Sequence, residues 1–389
     1  MAVINRIAGF AEDMTAWRRD IHAHPETAFE EHRTSDVVAA KLQSFGLEVH
    51  RGLAGTGVVG TLRRGRGGRA IGLRADMDAL HIHEANAFGH ASKNKGKMHA
   101  CGHDGHTTML LGAARYLAEA GKFDGTVHFI FQPAEENEGG GRVMVEQGLF
   151  QKFPVEAVFG MHNMPGLPVG KFATYVGPMM AAFDIFEIAI TGRGTHAAMP
   201  QAGIDPLVVA SEIVIALQSI VGRNVDPQDS GVVSVTQVHG GDTWNVIPNE
   251  AVVRGTARWF KPEVHKIIKE GIARIAGGIA SAHGATVKIR YEERYPATVN
   301  TAAETAHVTK VAAEIVGAEG VVTNPTPVMG SEDFAFMLQA KPGSYVWIGN
   351  GPRDGGCLLH NPSYDFNDDV LPIGASYWAR LVERTLPAG

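Results

Sequence analysis

GHTTMLLGAARYLAEAGKFDGTVHFIF, Gly105 to Phe131, is the stretch that decides how the chain is read. From Gly105 to Ala120 apolar side chains recur at helical spacing, and Gly121 is suited to leaving a helix. Thr126–Phe131 then forms a mostly apolar run, the mark of a strand buried on both faces. A similar run precedes the helix at Ala70–Leu73, and another follows at Ala157–Gly160. Strand, helix and strand in this order predict a parallel sheet with helices on its faces. A late strand near Ser344–Ile348 and a last helix near Leu371–Leu386 fit the same architecture. The opening stretch from Ile4 to Phe45 reads as two helices separated at Pro25.

The middle of the chain follows another pattern. Phe183–Thr191, Gly231–His239 and Ala251–Phe260 alternate like half-exposed strands, and Val287–Tyr291 is a further strand. Helices are expected at Pro206–Val221 and Pro262–His283. That order suits a small antiparallel sheet with two helices on one face. The expectation is an α/β catalytic domain, residues 1–179 and 292–389, interrupted by an inserted α+β domain, residues 180–291. No internal repeat or low-complexity segment is seen.

At 389 residues the chain exceeds the usual size of one core, which agrees with two domains. The net charge of −6 is spread along the chain with no basic block, which argues against a nucleic-acid partner. Its two cysteines, Cys101 and Cys357, make no disulfide framework, although one bridge between them is open. The N-terminus carries Glu12 and Asp13 and lacks the apolar core of a signal peptide. No apolar stretch reaches the ~18–20 residues that span a bilayer. The expected location is therefore the cytoplasm, with no membrane partner.

Chemistry is concentrated in a few places. MHACGHDGH, Met98 to His106, packs Cys101, His103, Asp104 and His106 among glycines just before the helix, and Cys and His are strong ligands for zinc-like ions. The plainer alternative is a histidine-rich helix cap with a buried thiol. In FQPAEENEGGG, Phe131 to Gly141, Glu135 and Glu136 directly follow a buried strand, where open parallel sheets place their ligand sites. Adjacent carboxylates repel unless a cation is present; with one, either member of the pair can coordinate while the other handles a proton. His162 follows the next strand, and His360 comes soon after the late one. Cys357, three residues before His360, is a rival ligand. Asp76 and Asp78, two apart at the end of the strand at Ala70, can face the same way and orient ligand imidazoles.

Taken together, WRRDIHAHPE, RADMDAL, MHACGHDGH, FQPAEE, GMHNMP, GRGTHAAMP, NVIPNEA, GSEDFAFM and LLHNPSYDF resemble the M20 metallopeptidase family along nearly the whole chain. The resemblance is to its amidohydrolase branch of hippurate hydrolases, aminoacylases and auxin-conjugate hydrolases. It implies a zinc-peptidase-like fold with a lid or dimerisation domain, and a site for two divalent ions, Zn, Mn, Co or Ni. It implies Cys101, His103, Glu136, His162 and His360 as ligands, Glu135 as general base and Asp78 as support for the metal centre. His196 resembles a lid histidine that stabilises the oxyanion in its own or a partner subunit's site. Asn245 and Arg258 resemble lid residues that hold substrate. A homodimer, or a tetramer, is implied as well.

Two departures stand out. Asp76 replaces a metal-binding histidine of the wider family, where Cys101 also replaces a bridging aspartate. His81, with His83 nearby, stands where relatives commonly have proline. The expected reaction is hydrolysis of the amide bond of N-acyl amino acids by metal-activated water. The alternatives are a dipeptidase or carboxypeptidase on the same scaffold, a silent metal- or ligand-binding relative, and a thiol oxidoreductase using Cys101.

Overall fold

The computed structural model describes residues 1–352 and 358–389. They form two compact units, one of residues 1–179, 299–326 and 333–389, the other of residues 180–298 and 327–332.

The first unit is built on an eight-stranded sheet. Its strands are β1 (Glu48–Leu53), β2 (Gly57–Arg64), β3 (Ala70–Asp76), β4 (Gly125–Gln132), β5 (Ala157–Met164) and β6 (Phe172–Thr174), joined by Val321–Thr323 and Gly343–Gly349. The order across the sheet is β1, β2, β4, β3, β5, Gly343–Gly349, β6, Val321–Thr323. At its centre β3 runs parallel to both β4 and β5, and Gly343–Gly349 runs parallel to β5. β1, β2 and β6 add antiparallel pairings around this parallel middle.

The central strands are buried along their length, which explains their mostly apolar sequence, interrupted by buried Arg74 in β3 and buried His128 in β4. Leu73, Phe129, Phe131, Phe159 and Met161 point into the main core, with the helix His103–Ala120 and the last helix, Leu371–Thr385. Alternate residues such as Ile130 and Val158 point to the other face. There the helices Gly140–Glu146 and Phe334–Ala340 pack. Met109, Leu110 and Leu111 of His103–Ala120 are fully buried, each contributing about 1.5–3 kcal/mol of transfer free energy.

The second unit carries an antiparallel sheet in the order Gly231–His239, Glu250–Trp259, Ala182–Thr191, Thr286–Tyr295. Phe186, Ile188 and Ile190 form one core with the helices Pro206–Leu217 and Pro262–Ala282, while Ile185, Glu187 and Ala189 stay partly exposed on the opposite face. Asp205 starts the first of these helices by accepting the Leu207 N–H at 2.8 Å.

Three expectations change. The opening stretch forms three helices, Asn5–Ala8, Ala11–Ala23 and His32–Ser44, because the chain also breaks at Gly9, a poor helix former. The sheet gains β1 and β2, so the strand at Ala70 is third in the chain rather than first. Pro206–Val221 is two helices, Pro206–Leu217 and Ser219–Asn224. At their junction the Gln218 side chain and the Ser219 hydroxyl donate to the carbonyls of Val214 and Ala216, at 3.0 and 2.7 Å. No helix among the described residues is long and apolar enough to cross a membrane.

Candidate metal centre

Parallel β3, β4 and β5 deliver their C-terminal ends to one edge of the sheet, and the candidate residues of the first unit gather there. Asp76 ends β3 and Asp78 follows it; Glu135 and Glu136 follow β4; His162 lies near the end of β5. Cys101 and His103 sit at the start of the helix after β3. Gly102 between them has φ 95°, and a side chain there would stand 2.3 Å from the Asn163 carbonyl oxygen Oδ1. Only glycine allows this turn, which brings both neighbouring side chains to the site.

Cys101 Sγ lies 3.4 Å from His162 Nε2, and His360 Nε2 lies 3.2 Å from Glu136 Oε1. Ligand atoms of Cys101, His103 and His162 all fall within 4.8 Å of one another, as do those of Cys101, Glu136 and His360, and of His103, Glu135 and Glu136. The three groups share members and so form one continuous cluster. His360 is held with φ 61° by its N–H on the Ala100 carbonyl at 2.7 Å, although its side chain remains half exposed.

Hydrogen bonds fix which imidazole nitrogen faces the cluster. His103 Nδ1 lies 2.9 Å from the Asp78 carbonyl and 3.2 Å from its Oδ1, while buried Nε2 has no hydrogen-bond partner. His162 Nδ1 lies 2.6 Å from the Asn163 carbonyl, turning Nε2 toward Cys101. Asp78 Oδ2 also accepts the Glu136 N–H at 2.9 Å. One buried carboxylate thus ties the His103 ring to the backbone between the two glutamates.

The electrostatics fit a cation. Burial, then Glu136 and Glu135, push the Cys101 thiol well above its ordinary range. Burial alone would lower His103, but Asp76 and Asp78 outweigh it and hold the ring up at about 10. Burial and nearby His106 depress His162. A divalent ion would relieve the acid crowding, favour the thiolate and take up His103 Nε2, which makes no hydrogen bond. The thiol, imidazole and carboxylate donors therefore suit an ion of the zinc-like transition series.

Asp76 is placed differently from Asp78. Its two oxygens meet His106 Nδ1 at 2.6 Å and Arg74 Nη1 at 2.7 Å. His106 reaches on to Asn163 Oδ1 at 2.8 Å, and the Asn163 amide donates to the Tyr364 hydroxyl at 2.6 Å. Asp76 hydrogen-bonds His106 and Asp78 hydrogen-bonds the candidate ligand His103, while Asp76 also stands 3.8 Å from His103 Nε2 as an ion-pair partner.

Asp104, named in the MHACGHDGH motif, has partners that the motif does not show. Asp104, wholly buried, lies 2.8 Å from His22 Nδ1 and 3.5 Å from the Arg18 guanidinium. His22 Nε2 reaches Glu84 at 3.2 Å, and Arg18 also binds Asp365 and Asp368. The motifs contain Arg18 and His22 in WRRDIHAHPE and Asp365 in LLHNPSYDF one by one, but do not show that they meet. His81 and His83 are exposed. The rival ligand Cys357 lies outside the described residues.

His196, Asn245 and Arg258 belong to the second unit. His196 is exposed on the short strand Thr195–His196, which pairs with Val246–Ile247. The Ala197 N–H donates to the Asn245 carbonyl at 2.9 Å, so these two segments lie side by side. Arg258 donates to Ser331 at 2.9 Å and stacks over Phe183, 4.1 Å from the ring centre.

Residues 72–384 match the profile of peptidase family M20/M25/M40. The hippurate hydrolase of Campylobacter jejuni is 42% identical over 386 residues, covering 99% of this chain and all of that one. Thermostable carboxypeptidase 2 of Saccharolobus solfataricus is 38% identical, with 98% of each chain covered. A Bacillus subtilis structure described as a dinuclear metal binding peptidase from the M20 family superposes with a TM-score of 0.84 at 35% identity, covering 98% of this chain and 100% of that one. The chain belongs to the M20/M25/M40 peptidase family, a family of hydrolases.

Proposed function

We propose that this protein hydrolyses the amide bond of N-acyl amino acids, using a pair of divalent ions held by Cys101, His103, Glu136, His162 and His360. The observation that carries this reading is the continuous cluster of thiol, imidazole and carboxylate donors around the buried His103 Nε2, which makes no hydrogen bond. When bound, such ions supply a water of lowered pKa and a Lewis-acid contact for the amide carbonyl.

The chain's own groups do the rest. Glu135, mostly buried at the rim of the cluster, takes the proton of the attacking water and returns it to the leaving nitrogen. Asp78 keeps His103 in the tautomer that presents Nε2. His196 donates to the developing oxyanion, Asn245 holds the substrate amide, and Arg258 pairs with a free carboxylate. The inserted unit serves as lid and dimerisation surface of a cytoplasmic homodimer. Zinc, manganese, cobalt and nickel all suit the donor set.

The test is a turnover screen of apo-protein restored with each of these metals, using N-benzoyl and N-acetyl amino acids beside dipeptides. Metal-dependent release of the free amino acid from the acyl substrates is expected. Activity confined to peptides would favour the carboxypeptidase reading, to which the Saccharolobus relative lends support. No metal-dependent turnover of either class would sink both.

A further inference from the structure

We propose that Glu31 is a positioning residue for the Glu135–Glu136 turn, its buried carboxylate clamping the Ala134 N–H and thereby the backbone that aims both glutamates. The proposal rests on the reading of Glu135 as general base.

Glu31 is fully buried, in the segment just before the helix His32–Ser44. Its Oε1 accepts the N–H of Ala134 at 2.9 Å and that of Phe29 at 3.1 Å, and its Oε2 accepts the Thr56 hydroxyl at 2.6 Å. Both backbone partners are left-handed residues with side chains, Phe29 at φ 61° and Ala134 at φ 54°. That conformation costs roughly 1–2 kcal/mol per residue and persists only where the surroundings impose it. An apolar side chain would fill this place without desolvating a charge. The carboxylate instead serves three donors, two of them on strained backbone.

The turn is held at other points too. The Ala134 carbonyl accepts the Gly140 N–H at 2.8 Å, and a side chain at Gly140 would stand 1.8 Å from the Pro133 carbonyl oxygen. Asp78 accepts the Glu136 N–H. The residues immediately before and after Glu135 are therefore each fixed by a buried carboxylate, Glu31 on one side and Asp78 on the other. The N-terminal segment also holds the residue after Asp78, since the Glu26 carbonyl accepts the Ala79 N–H at 2.8 Å. This gives the WRRDIHAHPE region and the residues after it a task that their distance from the site in sequence conceals.

The experiment compares Glu31→Ala, Glu31→Gln and the double variant Glu31→Ala/Ala134→Gly for kcat, KM, metal content and amide hydrogen exchange of the apo-protein. Glu31→Ala should lower kcat roughly 10- to 100-fold with KM and metal content little changed, as expected for a misplaced catalytic group. Amides of residues 134–139 should exchange at least roughly tenfold faster, while those of the helix His103–Ala120 do not change. Glu31→Gln keeps a carbonyl acceptor for Ala134 and should recover most of the turnover. Ala134→Gly should partly rescue Glu31→Ala, because glycine takes the left-handed conformation without steric cost. Unchanged kcat and exchange in Glu31→Ala, or no recovery in either Glu31→Gln or the double variant, would overturn the proposal. Should Glu31→Ala not fold, Thr56→Val removes only the Oε2 donor and is expected to show both effects in weaker form; neither effect there overturns the proposal equally. Glu135→Gln, measured alongside, separates the two readings: retained turnover in it defeats the general base, whereas exchange in Glu31→Ala tests the clamp itself.

Discussion

Glu135 and Glu136 share one group with His103 but differ in their other neighbours, which motivates the different work proposed for each. Glu136 shares a 4.8 Å cluster with Cys101 and His360, whereas Glu135 is the more buried of the two and receives the Asp333 N–H at 3.4 Å. Glu135→Gln should bind metal normally and lose about 10²–10⁴ in kcat, the usual worth of a positioned proton shuttle. Metal analysis beside kinetics checks this, and equal metal loss in Glu135→Gln and Glu136→Gln would reverse the assignment. Cys101 offers a second test. Burial and the two glutamates keep its thiol protonated in the absence of a cation, so ion binding near neutral pH must release that proton. Calorimetry in buffers of different ionisation enthalpy should count about one proton fewer for Cys101→Ala. The same linkage makes metal affinity rise with pH until the thiol ionises unaided.

At the scale of elements, the site was legible wherever a ligand type directly followed a buried apolar run. Glu135 follows β4, and His162 lies near the end of β5; both strands are mostly apolar, with His128 the exception inside β4, so their edge is marked in the sequence. The pairing of Cys101 with His162 is a contact across sixty-one residues, and nothing local encodes it. β1 and β2 escaped notice because Glu48–Leu53 is mostly exposed and Gly57–Arg64 begins and is interrupted by glycine. Glu31, and the partners of Asp104, are hidden for a related reason: a buried acid has the same letter as a solvated one, and only the donors that converge on it reveal the difference. The contact of the helix Ala11–Ala23 with Asp104 has a measurable consequence. Burial opposes the charge on His22, but Asp104 and Glu84 outweigh it and hold the pKa at about 9, against 6.5 ordinarily. A raised histidine pKa stabilises the fold fully below pH 6.5, and that contribution fades as pH rises through about 9. Urea unfolding should therefore lose roughly 1–3 kcal/mol across this window, and His22→Gln should flatten the slope.

For the whole molecule, the roles proposed for the site are divided between the two units. The proposed ligands all belong to the first unit, and His196 to the second. His196→Ala should lower kcat about 10²–10³-fold with metal content unchanged, the range for losing one oxyanion donor. Mixing His196→Ala with Glu135→Gln chains then tells the two routes apart. Partial recovery of activity in the mixture means that His196 serves a partner's site. A mixture as inactive as its parents means that it serves its own.

The sheet order bears on how the protein is made. Gly343–Gly349 lies between β5 and β6, although the chain from Met180 to Thr298 is synthesised before it. A growing polypeptide therefore emerges from the ribosome with the pairing edge of β5, and the apolar side chains Val158, Phe159 and Met161, awaiting a neighbour that is still untranslated. At ordinary elongation rates of about 5–20 residues per second, that edge waits for ~10–40 s. Shelter by a chaperone during that interval, and aggregation of any product cut short before Gly343, are what such an unfinished sheet entails.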